Sequence, residues 1–449
     1  MKRTRRIRKI RLTSVQMIVL FYLGAVVMAT TLLSLPFAHR QGVDWSFIDA
    51  LFTAVSAISV TGLTVVSTAE TFNTAGYFIL AFVLQFGGIG IMTLGTFIWL
   101  LVGKKIGLRE RQLIMTDQNR TTLQGLVKIM REILVLILII EAIGTLILGL
   151  YFLNYFSTWQ EAFMQGFFAS VSATTNAGFD ITGKSLIPFA HDYFVQFINM
   201  ILLILGAIGF PVLLEIKEYL TSKERKYQFS LFTRLTTATF FILIVVGTVL
   251  ILLLEWNHFY KDKTWHEALF YSLFQSVTSR NGGLATLDVS LYTEPTQLVL
   301  SVLMFIGASP SSVGGGIRTT TFAIIILSIY TFAKGNQSIK VFRRELLAED
   351  IIKAFVVFSM AIIVCGTAVV ALMVIENFPL MPVLFEVCSA FGTTGLSMGI
   401  TAQLSTPGKI IIILLMFIGR VGILSFLFLI RGNIVKEKYH YPKEQIIIG

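Results

Sequence analysis

Four segments of this chain share a pattern whose chemistry lies in the main chain. Phe52–Leu63 reads FTAVSAISVTGL, Phe168–Phe179 reads FASVSATTNAGF, Phe274–Leu284 reads FQSVTSRNGGL and Phe385–Leu396 reads FEVCSAFGTTGL. Each opens on Phe, passes through a Ser/Thr step and closes on Gly followed by Leu or Phe. The closing glycines are Gly62, Gly178, Gly283 and Gly395, spaced by 116, 105 and 112 residues. Such a period defines four similar units of about 110 residues. Three copies have no Asp or Glu between Phe and Gly, and the fourth has only Glu386 near its start. What remains for chemistry is a set of backbone carbonyls at Val60, Thr61 and Gly62, at Asn176, Ala177 and Gly178, at Asn281, Gly282 and Gly283, and at Thr393, Thr394 and Gly395. Carbonyl rings replace the hydration shell of a monovalent cation. Glycine at the last position permits the positive φ or close approach that turns carbonyls inward. The structural alternative is that the glycines only allow tight helix packing. Four copies, each following a short apolar run, favour the ion-coordinating reading.

A second echo follows each segment: FGGIG (Phe86–Gly90), LGAIG (Leu205–Gly209), IGASP (Ile306–Pro310) and IGRVG (Ile418–Gly422). The third copy continues as SSVGGG. The stretch Gly307, Ala308, Ser309, Pro310, Ser311, Ser312, Val313, Gly314, Gly315 and Gly316 is not expected to hold a helix, since each Gly costs about 1 kcal/mol and Pro about 3 relative to Ala. Non-helical backbone at membrane depth has to line a cavity or be buried in protein. The expectation is a flexible gate below the carbonyl segments; the alternative is a passive kink. Arg420 follows the apolar run Ile410–Ile418. An arginine inside a bilayer costs roughly 3 kcal/mol or more, which marks it as functional unless it snorkels to an interface. Glu141 is a second mid-span charge, expected to pair with an arginine or stay protonated, and it is given no role. Arg280, three residues before Gly283, would repel a cation from the axis, so it is expected behind the carbonyls, bonded to backbone.

These segments need a membrane-embedded scaffold, and the composition supplies one. Of 449 residues 55% are hydrophobic and 14% charged, and mean hydropathy is +0.79, values of an all-α polytopic membrane protein. The net charge of +11 reads as basic segments beside a bilayer, not as nucleic-acid binding. No cleavable leader is expected, because the run Val15–Leu35 is long enough to span and remain. Cys365 and Cys388 have no metal-type spacing. His266-Glu267 lacks the second histidine of a zinc-protease helix, the Gly307–Gly316 stretch lacks the lysine of a phosphate-binding loop, and no GxSxG occurs. The chain is therefore read as a non-enzyme with no cofactor of its own and no metal beyond a transported ion.

Each unit reads as a span, a run too short to cross, and a second span. The spans are expected at 15–35 and 76–102, 133–155 and 194–214, 236–254 and 297–332, and 351–375 and 410–430. The short runs between them are expected at 45–58, 159–174, 265–278 and 381–391. The division is a basic tail 1–12, repeat 1 at 13–103, a loop 104–131, repeat 2 at 132–216, a loop 217–234, repeat 3 at 235–333 with the gate at 307–316, a loop 334–350, repeat 4 at 351–430 and a tail 431–449. Seven Lys/Arg in the first eleven residues and seven more between Lys104 and Arg131 place the N-terminus and the loops in the cytoplasm, and the C-terminus with them. Two crossings per unit give all four the same orientation. That parity suits a pseudo-fourfold arrangement of eight spanning and four half-crossing helices about a central pore, and not the inverted repeats of an alternating-access transporter.

On these features the whole chain resembles the Ktr/Trk/HKT superfamily of potassium transporters, and within it the bacterial Ktr membrane subunit of the KtrB/KtrD type. The likeness rests on the four span-loop-span units, on SVTGL (Ser59–Leu63), TNAGF (Thr175–Phe179), RNGGL (Arg280–Leu284) and TTGL (Thr393–Leu396), and on the third-unit loop. It implies potassium uptake through a channel-like pore in the plasma membrane, with sodium as an activator. It also implies a homodimer, surrounded by membrane lipid and docked on a cytoplasmic nucleotide-binding ring of the KtrA/KtrC type, so that any nucleotide sits on the partner. Arg420 matches the family's pore-facing arginine beside the gate. Gly62 matches the potassium-selective members, whereas many plant relatives carry serine there and transport sodium. A sodium-permeable or symporting member of the same superfamily is the alternative.

Overall fold

The computed structural model describes residues 13–90, 125–222 and 227–430, with isolated positions at 111, 115, 439, 441, 442, 444, 446 and 447. The basic tail 1–12, most of the loop 104–131, the far end of the expected 76–102 span and nearly all of the tail 431–449 lie outside the described residues.

The first helix of each unit is long and apolar: Ser14–Leu33, Leu126–Phe152, Leu231–Glu255 and Ala348–Ile375. These four are long enough to cross a membrane, which takes about 20 residues. Two begin earlier than the hydropathy suggests. Lys128, Arg131 and Glu132 sit within the first turns of Leu126–Phe152, where Glu132 meets Lys217 at 3.3 Å. A charged turn is tolerated where a helix projects past the apolar layer.

The short helices are Phe47–Ser59, Trp159–Thr174, Trp265–Thr278 and Leu380–Gly392. At 1.5 Å per residue they reach about 20–24 Å, less than the roughly 30 Å hydrocarbon layer. Three start on a Ser/Thr cap with an acid three residues on: Ser46 and Asp49, Thr158 and Glu161, Thr264 and Glu267. The cap oxygen satisfies a backbone N–H that the helix leaves open. The fourth starts after Pro379.

The second helices depart from the continuous spans expected at 194–214, 297–332 and 410–430. They run Thr74–Ile89; Tyr193–Ala207 then Phe210–Thr221; Glu294–Ile306 then Thr319–Ala333; and Thr406–Val421 then Ile423–Ile430. In the second and fourth units the two pieces meet at 102°. The last glycine of the echo causes the break: Gly90, Gly209 and Gly422 stand at φ 95°, 104° and 87°, a conformation that ends a helix and that glycine adopts without a steric penalty. Counting each bent pair as one span gives up to six crossings among the described residues. Within the loop 334–350, Lys340–Val341 pairs antiparallel with Arg344–Glu345, the one pair of β-strands among the described residues.

Packing links the units in a cycle. Each short helix lies against the second helix of the preceding unit, and the first unit's short helix lies against the fourth unit's second helix. Three seams carry aromatic pairs: Tyr77 with Phe168 at 6.2 Å, Tyr193 with Phe270 at 4.4 Å, and Phe305 with Phe391 at 5.5 Å between ring centres. The fourth seam carries an ion pair, Lys409 Nζ to Asp49 Oδ1 at 2.8 Å, with side chains 14% and 18% exposed. Breaking a largely buried pair strands one charge. Lys409→Met is therefore expected to lower stability by about 1–3 kcal/mol, read as a lower melting temperature in detergent. The double substitution Lys409→Met with Asp49→Leu should recover most of the loss.

Candidate functional site

The opening phenylalanines Phe52, Phe168, Phe274 and Phe385 are all fully buried, so each short helix is anchored in the core four to seven residues before its carboxyl end. There the backbone changes hand twice. Val60, Asn176, Asn281 and Thr393 stand at φ 58°, 52°, 110° and 51°, and the closing glycines Gly62, Gly178, Gly283 and Gly395 at 89°, 68°, 69° and 96°. The residue between each pair keeps negative φ. In a regularly extended chain successive groups point to opposite sides; alternating the hand brings successive carbonyls to one side. Positive φ at the glycines follows from residue type. At Val60 and Thr393 it does not, because β-branched residues resist that conformation and hold it at an expense of about 1–3 kcal/mol. Hydrogen bonds back into the helix hold it: Thr61 N to Ser56 O at 2.8 Å, Ala177 N to Ser172 O at 2.7 Å, Gly282 N to Thr278 O at 2.6 Å and Thr394 N to Ser389 O at 2.8 Å.

The four closing glycines meet one another. A Cβ built on Gly62 would stand 2.5 Å from the Ala177 carbonyl oxygen and 3.0 Å from Gly178 Cα; on Gly178, 3.0 Å from Gly283 Cα; on Gly283, 2.3 Å from the Thr394 oxygen; on Gly395, 2.2 Å from the Thr61 oxygen and 3.0 Å from Gly62 Cα. These contacts run from unit one to two, two to three, three to four and back to one. No side chain larger than hydrogen fits at any of the four positions without movement.

The Ser/Thr step of the repeat has a use that was not assigned from sequence. Ser56 and Ser389 accept from the N–H of Gly62 and Gly395 at 3.1 and 3.0 Å, while Ser172 and Thr278 donate to the carbonyls of Phe179 and Leu284, both at 2.6 Å. All four stand four residues after the opening phenylalanine, so the signal was the shared spacing.

Beneath lies the non-helical stretch Gly307–Gly316. Its neck is closed by Ala308 N to Gly315 O at 3.2 Å, and it is bonded to the second unit by Ser309 N to Ala207 O at 3.1 Å, Val313 N to Gly206 O at 3.4 Å and Phe210 N to Ser311 O at 2.9 Å. Arg420 donates to the carbonyls of Val313 in the loop and of Gly87 in the first unit. Arg318, passed over in the sequence although it stands two residues after the glycine run, donates to the carbonyls of Gly314 and Ser309. Arg280 is buried and donates to the Gly307 carbonyl at 2.5 Å, and its guanidinium lies 5.4 Å from the centre of the Phe240 ring. A cavity of about 600 Å³ opens below the loop, with Gly90, Phe210, Ser311, Arg318, Arg420 and Ser425 in its wall.

Glu141 is set apart from this arrangement. Its partner is the Gln85 amide at 2.5 Å, not an arginine, and the pair ties the second unit's first helix to the first unit's second helix. Cys365 and Cys388 are buried free thiols. No cluster of metal-ligating side chains occurs among the described residues.

Known proteins show the same architecture. Residues 8–438 match the TrkH family, described as cation transport protein. The chain is 61% identical over 438 residues to the Ktr system potassium uptake protein D of Bacillus subtilis, covering 98% of each chain. It is 34% identical to the potassium/sodium uptake protein NtpJ of Enterococcus hirae, covering 99% of each. The crystal structure of the potassium transporter TrkH from Vibrio parahaemolyticus superposes with a TM-score of 0.74 at 20% identity, over 94% of this chain and 86% of that one.

Proposed function

The chain belongs to the TrkH family of cation transport proteins, and from that premise we propose that it is the membrane-embedded, potassium-conducting subunit of an uptake system. The observation that carries this reading is the cycle of contacts among Gly62, Gly178, Gly283 and Gly395. Four glycine-ended segments on one axis, pseudo-fourfold in arrangement and with no carboxylate in the three residues that end on each glycine, offer main-chain oxygens to a dehydrated monovalent cation. The short helices aim their carboxyl ends, which carry partial negative charge, at the same place. The filter comprises Val60–Gly62, Asn176–Gly178, Asn281–Gly283 and Thr393–Gly395. The Gly307–Gly316 loop, latched by Arg420, is the gate below it. Potassium is the cargo named for the 61% identical relative; sodium acts as activator, and sodium permeation is the second reading, favoured by the name of the 34% identical potassium/sodium uptake protein.

The same reading places both termini and the basic loops in the cytoplasm of a plasma-membrane protein. It makes the chain a homodimer seated on a nucleotide-binding regulatory ring. The test is growth and potassium influx in a potassium-auxotrophic cell supplied with this chain and a regulatory subunit. Rescue at low external potassium is expected, and it should be lost with Gly283→Asp, which adds bulk and charge 2.3 Å from a neighbouring carbonyl. No rescue despite normal membrane levels would sink the potassium reading.

A further inference from the structure

The third repeated segment makes contacts with the loop that its counterparts in the first two units do not. Asn281 Oδ1 accepts from the Gly315 N–H and from Thr393 Oγ1, both at 3.0 Å. One buried side chain thus joins the end of the loop to the backbone-bearing segment of the fourth unit. Its neighbour Arg280 holds the loop's other end through the Gly307 carbonyl at 2.5 Å. There is no slack at the junction: a Cβ on Gly314 would stand 2.4 Å from Asn281 Cγ, and one on Gly315 would stand 2.7 Å from the Thr393 side chain. The corresponding residue of the second unit, Asn176, faces its own unit: with its nitrogen turned inward the amide donates to the carbonyls of Leu203 and Ala173 at 3.1 and 2.7 Å. The corresponding residue of the first unit, Val60, has no polar atom to offer.

We propose that Asn281, with Arg280, couples the filter to the gate: the loop cannot leave its closed position without releasing a hydrogen bond that helps set the shape of the third and fourth filter segments. This rests on the filter and gate reading above. Both Asn281 and Thr393 stand at positive φ, so their conformation depends on what surrounds them, and loss of a shared acceptor is transmitted as a change of backbone shape. Asn281 is a positioning residue here; the ion is held by backbone. Coupling of this kind is reciprocal. A change confined to the loop must alter ion discrimination, and a change confined to the filter side chain must alter closure.

The experiment uses the full chain reconstituted in lipid vesicles, with potassium and sodium flux measured separately. Deleting Ser309–Gly315 changes no filter residue, yet it is expected to lower potassium over sodium discrimination by threefold or more. Thr393→Val, which removes the hydroxyl from Asn281 and leaves the loop intact, is expected to raise basal potassium flux by threefold or more. Discrimination within twofold of the parent chain in the deletion variant, or unchanged basal flux in Thr393→Val, would overturn the coupling; should Thr393→Val fail to assemble, the deletion arm decides alone. Absence of potassium flux through the parent chain would overturn the underlying reading as well, so the two failures are told apart.

Discussion

Alanine at Gly395 is expected to cut potassium influx by roughly tenfold or more while the protein still inserts and assembles. The added Cβ would stand 2.2 Å from the Thr61 carbonyl oxygen, with the residue at φ 96°. Two penalties combine. An L-residue in left-handed backbone is unfavourable by about 1–2 kcal/mol, and relief of the clash has to displace either the Thr61 oxygen or the fourth segment. Since about 1.4 kcal/mol corresponds to a factor of ten in rate, even partial relief by movement leaves a large deficit. Gly283→Ala, 2.3 Å from the Thr394 oxygen, should behave alike. The control is alanine at Gly24 or Gly366, where a Cβ meets nothing within 4 Å and φ lies outside the left-handed region. There influx should match the parent chain, and helix stability should rise by about 0.5–1 kcal/mol. Influx measured on matched membrane levels decides the matter. If Gly395→Ala conducts as well as Gly24→Ala, with the same preference for potassium, the closing glycines do not line the ion path.

Removing Ser309–Gly315 is expected to act in the opposite direction and raise basal potassium flux by roughly tenfold or more. In the closed arrangement the loop is held by backbone bonds to Ala207, Gly206 and Phe210, by Asn281, and by Arg420. A hydrogen bond contributes about 0.5–1.5 kcal/mol net. Two such bonds that exist only in the closed state bias the population roughly thirtyfold at about 2 kcal/mol, and deletion abolishes the bias. Replacing Arg420 with glutamine should produce a smaller rise in the same direction, because it removes the charged donor to Val313 while leaving the backbone bonds. A passive kink predicts otherwise: unchanged or lost flux at normal protein levels would exclude the gate.

Much of this was legible before any coordinates. Phe, Ser/Thr and Gly recurring at fixed offsets marked the four segments, because each residue type answers a local demand: burial at the seam, a hydroxyl for the turn, freedom of φ at the end. The length of the apolar runs likewise marked the short helices, whose Ser/Thr caps were not read from the sequence. The breaks in the second helices were harder to see. The echo was visible, but a single glycine inside an apolar run is compatible with a continuous span, and only its φ reveals the 102° bend. Arg318 was overlooked for a related reason. It lies within the expected 297–332 span next to the glycine run, and its place over the loop carbonyls depends on how the loop folds back.

By itself, then, the sequence determined the membrane class, the fourfold repetition and the non-helical backbone at the closing glycines and at 307–316, because periodicity, hydropathy and glycine placement act within a few residues of one another. Which surfaces face each other was decided only in three dimensions. Asp49 finds Lys409 across 360 residues, Gly395 abuts Thr61, and Asn281 joins the loop to Thr393. Contacts of that kind arise from closure of the chain on itself, and no local pattern encodes which distant glycine a given glycine will touch.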